Sequence, residues 1–416
     1  MELRRVVVTG LGALTPLGNN LQDYWKSLLE GKSGAAPITL FDASKFKTQF
    51  ACEVKGFDPN EFMDRKEARK MDRFSQFAVV VADEAVNDSG LVGSDIDPAR
   101  VGVIWGSGIG GLDTFMQESL SFAQGDGTPR FNPFFIPKMI ADIAPGHISM
   151  KYGFRGPNFA TVSACASSTN ALIDSFNYIR LGMMDACVTG GSEAAVTVAG
   201  MGGFNAMHAL STRNESPETA SRPFDKDRDG FVLGEGAGCI ILEEYEHAKR
   251  RGAKIYAEIC GGGMSADAHH MTAPHPEGLG AKAVMENVLK DSGMKPSDVD
   301  YINVHGTSTP LGDVAELKAI TSVFGEEAYA LNISSTKSMT GHLLGAAGAI
   351  EAIAAIMAVK EDIVPPTINH FTDDPEINNR LNLTFGKAQK RKVKVAISNT
   401  FGFGGHNASV LVRKSQ

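Results

Sequence analysis

One cysteine stands where nucleophilic chemistry is easiest to do. In Ala160-Thr-Val-Ser-Ala-Cys165-Ala-Ser-Ser-Thr-Asn170, Cys165 falls between a short β-type run and an amphipathic helical run. A helix amino end presents unpaired N–H groups and the positive end of the macrodipole, and both favour a thiolate over a thiol. Small neighbours leave room for a substrate. Buried cysteines also serve as plain small hydrophobes, so the downstream sequence decides. Tyr301-Ile-Asn303-Val-His305-Gly306-Thr307-Ser308-Thr309-Pro310 reads as a strand delivering His305 into a turn. Strand ends are where open α/β sheets carry their sites. Ser335-Thr336-Lys337-Ser338-Met339-Thr340-Gly341-His342 brings Lys337 and His342 to the start of a long helix of small residues that continues through Glu351. One Cys and two His, each at the junction of an element and a glycine-rich turn, form a nucleophile-and-base constellation.

The elements that must position these residues alternate. Strand-like runs at Arg5 to Gly10, Val101 to Trp105, Phe159 to Val162, Ala186 to Gly190 and Cys239 to Glu243 are interleaved with helical ones. Leu21 to Glu30, capped by Asn20 and ended by Gly31, is one helix; Gln76 to Asp88, ended near Gly90, is another. Such alternation favours parallel or mixed sheets covered by helices. A second, similar series begins at Tyr256. Val101-Gly-Val-Ile-Trp-Gly106-Ser107 parallels Tyr301-Ile-Asn-Val-His305-Gly306-Thr307, and the Cys165 unit parallels the Lys337 to His342 unit. The closing strands Gly238 to Glu243 and Ala408 to Arg413 are also alike. A duplicated α/β fold is therefore expected, with residues 1–253 supplying the cysteine, residues 254–416 the histidines, and the basic helix Glu244 to Arg251 as the seam.

Composition narrows the class. The 416 residues are 43% hydrophobic and 21% charged, enough for a large core in a globular, soluble chain. No window approaches the ~20 uninterrupted apolar residues of a membrane span. Met1-Glu-Leu-Arg-Arg runs straight into a strand-like Val-Val-Val and not into an apolar signal region. A net charge of −8 argues against nonspecific nucleic-acid binding. Five cysteines (Cys52, Cys165, Cys187, Cys239, Cys260), odd in number and without metal-type pairing, point to a reducing compartment, so a cytoplasmic location is expected.

Three motifs mislead. Gly106-Ser-Gly108-Ile-Gly-Gly111 satisfies the dinucleotide pattern, but no acidic residue closes a second strand at the distance a ribose contact needs. Asp225-Lys-Asp227-Arg-Asp229-Gly230 opens like a calcium loop, yet Gly236 stands where the bidentate glutamate belongs, with Glu235 one place short. These aspartates are read as holding a loop near the site. His269, His270 and His275 lack zinc-ligand spacing and are read as surface or substrate-access residues.

Taken in order, Arg5-Val-Val-Val-Thr-Gly-Leu-Gly, the Cys165 segment, Ser211-Thr-Arg, Arg222-Pro-Phe-Asp, Asp229-Gly-Phe-Val-Leu-Gly-Glu-Gly236, the two His segments and Asn399-Thr-Phe401-Gly-Phe403-Gly-Gly-His-Asn407 run almost the full length of the chain. In this the sequence resembles the β-ketoacyl-acyl carrier protein synthases of type II fatty acid synthesis, the elongating branch in particular. The resemblance implies a thiolase-like, duplicated five-layer α-β-α-β-α fold, usually a homodimer. It implies acyl transfer from acyl carrier protein to Cys165, with backbone N–H groups of Cys165 and Phe403 as oxyanion donors. Decarboxylation of malonyl-acyl carrier protein, assisted by His305 and His342, then gives a 3-oxoacyl chain.

The same resemblance gives Lys337 an electrostatic role with Glu351, and makes Asp313, Thr307 and Thr309 supporting residues. Ile109, Phe204, Leu344, Phe401 and Phe403 would line the acyl pocket, with Phe403 as its gate. No cofactor is expected to be required; a structural Na+ or K+ is expected at Asn303, Glu351, Ser398 and Asn399, for which a hydrogen-bond network is an equal account. The basic cluster Arg65, Lys66, Arg69 and Lys70 would steer the acidic carrier protein. A thiolase would carry a second reactive cysteine near the carboxyl end, where none is found, and the priming synthase pairs Cys with His and Asn. A polyketide ketosynthase shares the whole constellation, whereas the non-enzymatic chain-length subunit of such systems lacks the cysteine.

Overall fold

The apolar runs assemble into one ten-stranded mixed sheet. In chain order its strands are β1 (Val6–Leu14), β2 (Val101–Gly106), β3 (Asn158–Thr161), β4 (Ala186–Glu193), β5 (Gly236–Glu244), β6 (Ala257–Ala266), β7 (Tyr301–Asn303), β8 (Asn332–Ser334), β9 (Val395–Gly402) and β10 (His406–Arg413). The structure is a computed structural model that describes residues 3–415; Met1, Glu2 and Gln416, at the outer ends of the two expected halves, lie outside the described residues. Outward from the centre, one side of the sheet runs β1-β5-β4-β2-β3 and the other β6-β10-β9-β7-β8. The second set repeats the first strand for strand, so the duplication read from the sequence is present in the topology. Among the described residues, the two sides are joined where Val6, Val7 and Val8 pair with Ile259, Glu258 and Ala257.

Helices complete the layers. They include α1 (Arg73–Ser89), α2 (Ser167–Arg180), α3 (Leu279–Ser292), α4 (Pro310–Phe324) and α5 (Ala347–Glu361). Helix α1 covers β1, β5 and β4 on one outside, and α3 covers β6 and β10 on the other. Helices α2 and α5 pack against each other and touch strands of both halves, which makes the five-layer arrangement of the thiolase-like fold. Ala347 through Val359 of α5 are all buried. A helix apolar all round belongs in a core, and each fully buried Ile or Val there contributes roughly 1.5–3 kcal/mol. Small residues allow close approach: a Cβ on Gly348 would lie 2.0 Å from Thr169 Oγ1, and one on Gly12 would lie 2.2 Å from the Val81 carbonyl oxygen.

Local readings differ from the structure in three places. Helix α1 begins at Arg73 and not at Gln76, because Asp72 caps it by accepting from Phe74 N–H, while its other oxygen takes the Thr114 hydroxyl at 2.6 Å. The basic run is not a single helix: Arg65–Ala68 is one turn capped by Asp64, and Arg73 turns inward to Glu235 at 2.7 Å. His342 does not start the long helix. Lys337–Thr340 forms one turn, Gly341 breaks it at φ +66°, and α5 proper begins only at Ala347.

Candidate active site

Cys165 lies one residue before the cap of α2, immediately after Ala164, whose φ of +50° is left-handed. A non-glycine residue in that region costs roughly 1–2 kcal/mol, and the bend turns the thiol away from the sheet toward the other half. There Sγ meets His342 Nε2 at 3.0 Å. The short break at Gly341 makes this possible: His342 is extended, its N–H donating to the Val232 carbonyl and its own carbonyl accepting from Gly234. His305 follows β7 and sits edge-on to His342, ring centroids 5.3 Å apart. The donor atoms of Cys165, His305 and His342 all lie within 4.8 Å of one another.

Electrostatics at this cluster are set by burial. Desolvation holds both imidazoles well below their ordinary pKa, and the Lys337 ammonium adds to the effect, so both are neutral at pH 7. Desolvation also pushes the Cys165 thiol up to about 12, against the opposing pull of Lys337 and of the Phe403 N–H that points at the sulfur. This corrects the expectation of a resting thiolate, since loss of water outweighs the helix amino end. Lys337 and Glu351 form an ion pair with 1% and 0% exposure; burial raises Glu351 to about 7 despite the ammonium.

The Gly402 to Gly405 turn covers the cysteine. A Cβ on Gly402 would lie 3.0 Å from the Cys165 backbone nitrogen and 2.8 Å from the Ser163 carbonyl oxygen, so only glycine allows the turn to close this far. The result is that the Phe403 N–H lies against the Cys165 sulfur. Beside the sulfur lies a cavity of about 600 Å³ lined by the three clustered side chains. Ile109, Phe204, Leu344, Phe401 and Phe403, the residues chosen from sequence for an acyl pocket, all line it. Thr307 and Thr309 line it as well, their hydroxyls 3.1 Å apart, and so do His270 and His275.

Asp313 supports the mouth from behind. It is fully buried, accepts from Phe224 and Ser308 N–H, and pairs with Arg228 at 3.3 Å. Burial nevertheless raises it to about 6. Asp225 binds the N–H groups of Phe371, Thr372 and Asp227, and Asp229 that of Thr212, so these two aspartates secure loops as expected.

Other sequence choices sit apart. Arg65, Lys66 and Arg69 are exposed, Lys70 is tied to Glu67 at 2.6 Å, and none of the four lines the cavity. Asn303 Oδ1 and Ser398 Oγ, on register partners of β7 and β9, are buried without hydrogen-bond partners among the described residues. Asn399 differs from them: its Oδ1 accepts the Ser409 hydroxyl at 2.6 Å.

Two carboxylates escaped the sequence reading. Glu316 on α4 accepts from the N–H groups of His305 at 2.9 Å and Gly306 at 2.8 Å, fixing the histidine's backbone; burial raises it to about 7. Glu193, at the end of β4, does the same for the loop after β2.

Fold and site together define a thiolase-like ketosynthase: a cysteine from one half faces two neutral histidines from the other beneath a glycine-flanked aromatic turn. The chain belongs to the β-ketoacyl synthase family, residues 3–248 matching "Beta-ketoacyl synthase, N-terminal domain" and residues 256–371 "Beta-ketoacyl synthase, C-terminal domain". It is 52% identical over 416 residues to the 3-oxoacyl-[acyl-carrier-protein] synthase 2 of Synechocystis sp., covering 100% of this chain and 99% of that one. With the synthase of the same name from Coxiella burnetii it shares 50% identity, with the same coverage. Among solved structures it is similar to a beta-ketoacyl synthase from Burkholderia phymatum (34% identity, TM-score 0.92, covering 99% and 100% of the two chains). A type II polyketide ketosynthase in complex with its acyl carrier protein is likewise similar (34% identity, TM-score 0.90, full coverage of both chains). Among the described residues no helix is long and apolar enough to cross a membrane.

Proposed function

We propose that this chain catalyses the condensation step of type II fatty acid elongation, joining an acyl group carried on Cys165 to malonyl-acyl carrier protein. The 3.0 Å contact between Cys165 Sγ and His342 Nε2, with a second neutral imidazole beside it, carries this reading. In the first half-reaction the sulfur attacks the thioester carbonyl while His342 takes the thiol proton. The oxyanion draws on the Cys165 and Phe403 N–H groups. The carbon–sulfur bond to the carrier then breaks, and the proton passes to the departing thiolate, which returns His342 to neutrality.

In the second half-reaction malonyl carrier occupies the mouth between Thr307 and Thr309. Cleavage of its carboxylate bond releases CO2 and leaves an enolate, whose oxygen accepts N–H donation from His305 and His342 as neutral tautomers. The enolate carbon attacks the Cys165 thioester, the carbon–sulfur bond breaks, and the departing thiolate takes up one proton from solvent to restore the neutral thiol as a 3-oxoacyl carrier two carbons longer is released. Burial and the Lys337 ammonium keep the histidines neutral, and Glu351 pairs with that ammonium in the core, neither side chain touching substrate. Fatty acid elongation is favoured over polyketide synthesis by the higher identity to the fatty acid synthases, 50–52% against 34%.

Partners and surroundings follow the same reading. Acyl carrier protein docks near Arg65, Lys66, Arg69 and Lys70. A homodimer fits the free edge of β3 and the exposed Phe115, Phe122, Phe131, Phe134 and Ile136 on one segment. No cofactor is needed. The unpartnered oxygens of Asn303 and Ser398, close to the strands that α5 and its Glu351 cross, fit a structural Na+ or K+; Asn399 Oδ1 already accepts the Ser409 hydroxyl and keeps a second lone pair for such an ion. The halves divide at residues 253 and 254, and the enzyme works in the cytoplasm. The reading is tested by incubating the protein with acyl- and malonyl-acyl carrier protein. Mass spectrometry should find the acyl group on Cys165 and then a 3-oxoacyl carrier; absence of both would overturn it.

A further inference from the structure

Glu193 receives more backbone donors than any residue of the catalytic cluster, yet it touches none of that cluster's reacting atoms. Its side chain is fully buried. Oε2 accepts from Gly108 N–H at 2.8 Å and Gly345 N–H at 3.0 Å; Oε1 accepts from Ile109 N–H at 3.1 Å and the Ser107 hydroxyl at 3.2 Å. The two oxygens therefore tie together two segments remote in sequence. One is the loop after β2, which carries Ile109. The other is the turn before α5, which carries Leu344, held at a left-handed φ of +48°. Both side chains are walls of the cavity.

The tie is tight. A Cβ on Gly345 would fall 2.2 Å from Gly108 N and 2.7 Å from Glu193 Oε2, so the two segments meet through glycine with the carboxylate wedged against them. A carboxylate alone suits four donors that converge on two acceptor atoms. An amide in its place would turn an NH2 group toward either the Gly108 and Gly345 pair or the Ile109 and Ser107 pair, leaving buried donors without acceptors. One wall or the other would then be released.

We propose that Glu193 is a positioning residue that fixes the separation of Ile109 and Leu344 and so determines how long an acyl chain the cavity accepts. The inference rests on the condensing reading for the identity of the natural acyl group. The staple itself is a property of the pocket and can be tested without any carrier protein.

The test labels Cys165 with iodoacetamide and with N-alkyl iodoacetamides of increasing chain length, in the wild type, Glu193→Gln and Ser107→Ala, followed by mass spectrometry. In the wild type, labelling should quicken with chain length up to the depth of the pocket and then fall. In Glu193→Gln that profile should flatten, the ratio of best to worst chain shrinking roughly tenfold, the scale on which a hydrophobic pocket discriminates a methylene. Plain iodoacetamide should react no more slowly, because the Glu193 charge raises the Cys165 thiol and its removal eases ionisation. Ser107→Ala removes one donor to the staple and should move the profile the same way by a smaller factor, which decides the matter if the glutamine variant does not fold. An unchanged profile in both variants, or a uniform slowing that includes plain iodoacetamide, overturns the proposal. A wild-type protein that shows the expected profile but never condenses would refute the condensing reading and leave the staple standing.

Discussion

Cys165 Sγ and His342 Nε2 lie 3.0 Å apart although 177 residues separate them in the chain, and each comes from a different half of the fold. Both side chains are buried, and neither carries a charge at rest. The pair is built to move a proton during attack, not to hold an ion pair beforehand.

Replacing Cys165 by Ala should abolish acyl transfer with the thermal transition unchanged within about 1 kcal/mol, since one small buried atom is lost. Stoichiometric alkylation of the wild type should fall mainly on Cys165 rather than the other four cysteines, because Cys165 lines the cavity, Cys52, Cys187 and Cys239 are enclosed within the core, and Cys260 is half-buried outside it. Condensation by the alanine variant would end the mechanism.

The rate of iodoacetamide alkylation reports the thiol directly. With the Cys165 pKa raised to about 12 by burial, the thiolate fraction grows with pH throughout the accessible range. The rate should climb by about tenfold per unit from pH 7 to 10, as expected below a thiol pKa. A plateau near pH 8 would mean that the α2 amino end outweighs desolvation after all.

His305→Ala and His342→Ala should each depress malonyl decarboxylation by about 10²–10⁴-fold, the usual range for a lost proton-transfer or donor group. Acylation of Cys165 should suffer less in His305→Ala, since His305 does not contact the sulfur within hydrogen-bonding distance, whereas His342→Ala, which loses the acceptor of the thiol proton, should slow acylation as well. Single-turnover measurement on preformed acyl-enzyme separates the steps; normal condensation there would remove the histidines from their role.

Phe403→Ala keeps the backbone N–H that points at Cys165 and removes only the ring. If the ring gates the cavity, the variant should confuse acyl and malonyl carriers, shift chain-length preference and waste malonyl groups by decarboxylation. A variant with unchanged selectivity would leave Phe403 its N–H alone.

Lys337→Met strands Glu351 in the core and should destabilise the fold by about 3–5 kcal/mol, the penalty for an uncompensated buried charge. Because Glu351 already sits near 7, the folded state holds its proton more strongly than the unfolded one. Without Lys337 this difference grows, so the variant should lose further stability as pH rises from about 5 to 8. Lys337→Met with Glu351→Met should recover most of the stability but not the activity. Urea denaturation at several pH values distinguishes these outcomes.

The clustering of Cys165, His305 and His342 was legible because each sits at the junction of an element and a turn, Cys165 among alanines and serines, His305 beside Gly306 and His342 beside Gly341, a pattern carried by the residues themselves. The duplication was legible for the same reason, since β2 and β7 share their apolar spacing and both end in a glycine turn. What escaped was decided by packing between distant segments. Nothing local to Glu193 or Glu316 says that backbone N–H groups from other elements will converge on them. The thiol's ionisation was misjudged likewise: a helix amino end is visible in sequence, but the roof over it, formed by Gly402 and Phe403, arrives from the far end of the chain. The inward turn of Arg73 has the same origin, in Glu235 on a loop more than half a domain away.

The three-residue seam between β1 and β6 bears on how the molecule is made. Val6 pairs with Glu244 on one side and with Ile259 on the other, so β1 waits for neighbours that follow it much later in the chain. Contacts of such long range form late, after the entropy of closing large loops has been met. On the ribosome the N-terminal half emerges first, with α2 in place but with no His342, no Phe403 and no roof. Cys165 is then wet, its thiol is free of the desolvation that later suppresses it, and it is more acidic than in the finished enzyme. The nascent chain thus passes through a stage in which its one essential sulfur is most open to oxidants, and docking of the second half ends that exposure as it completes the site.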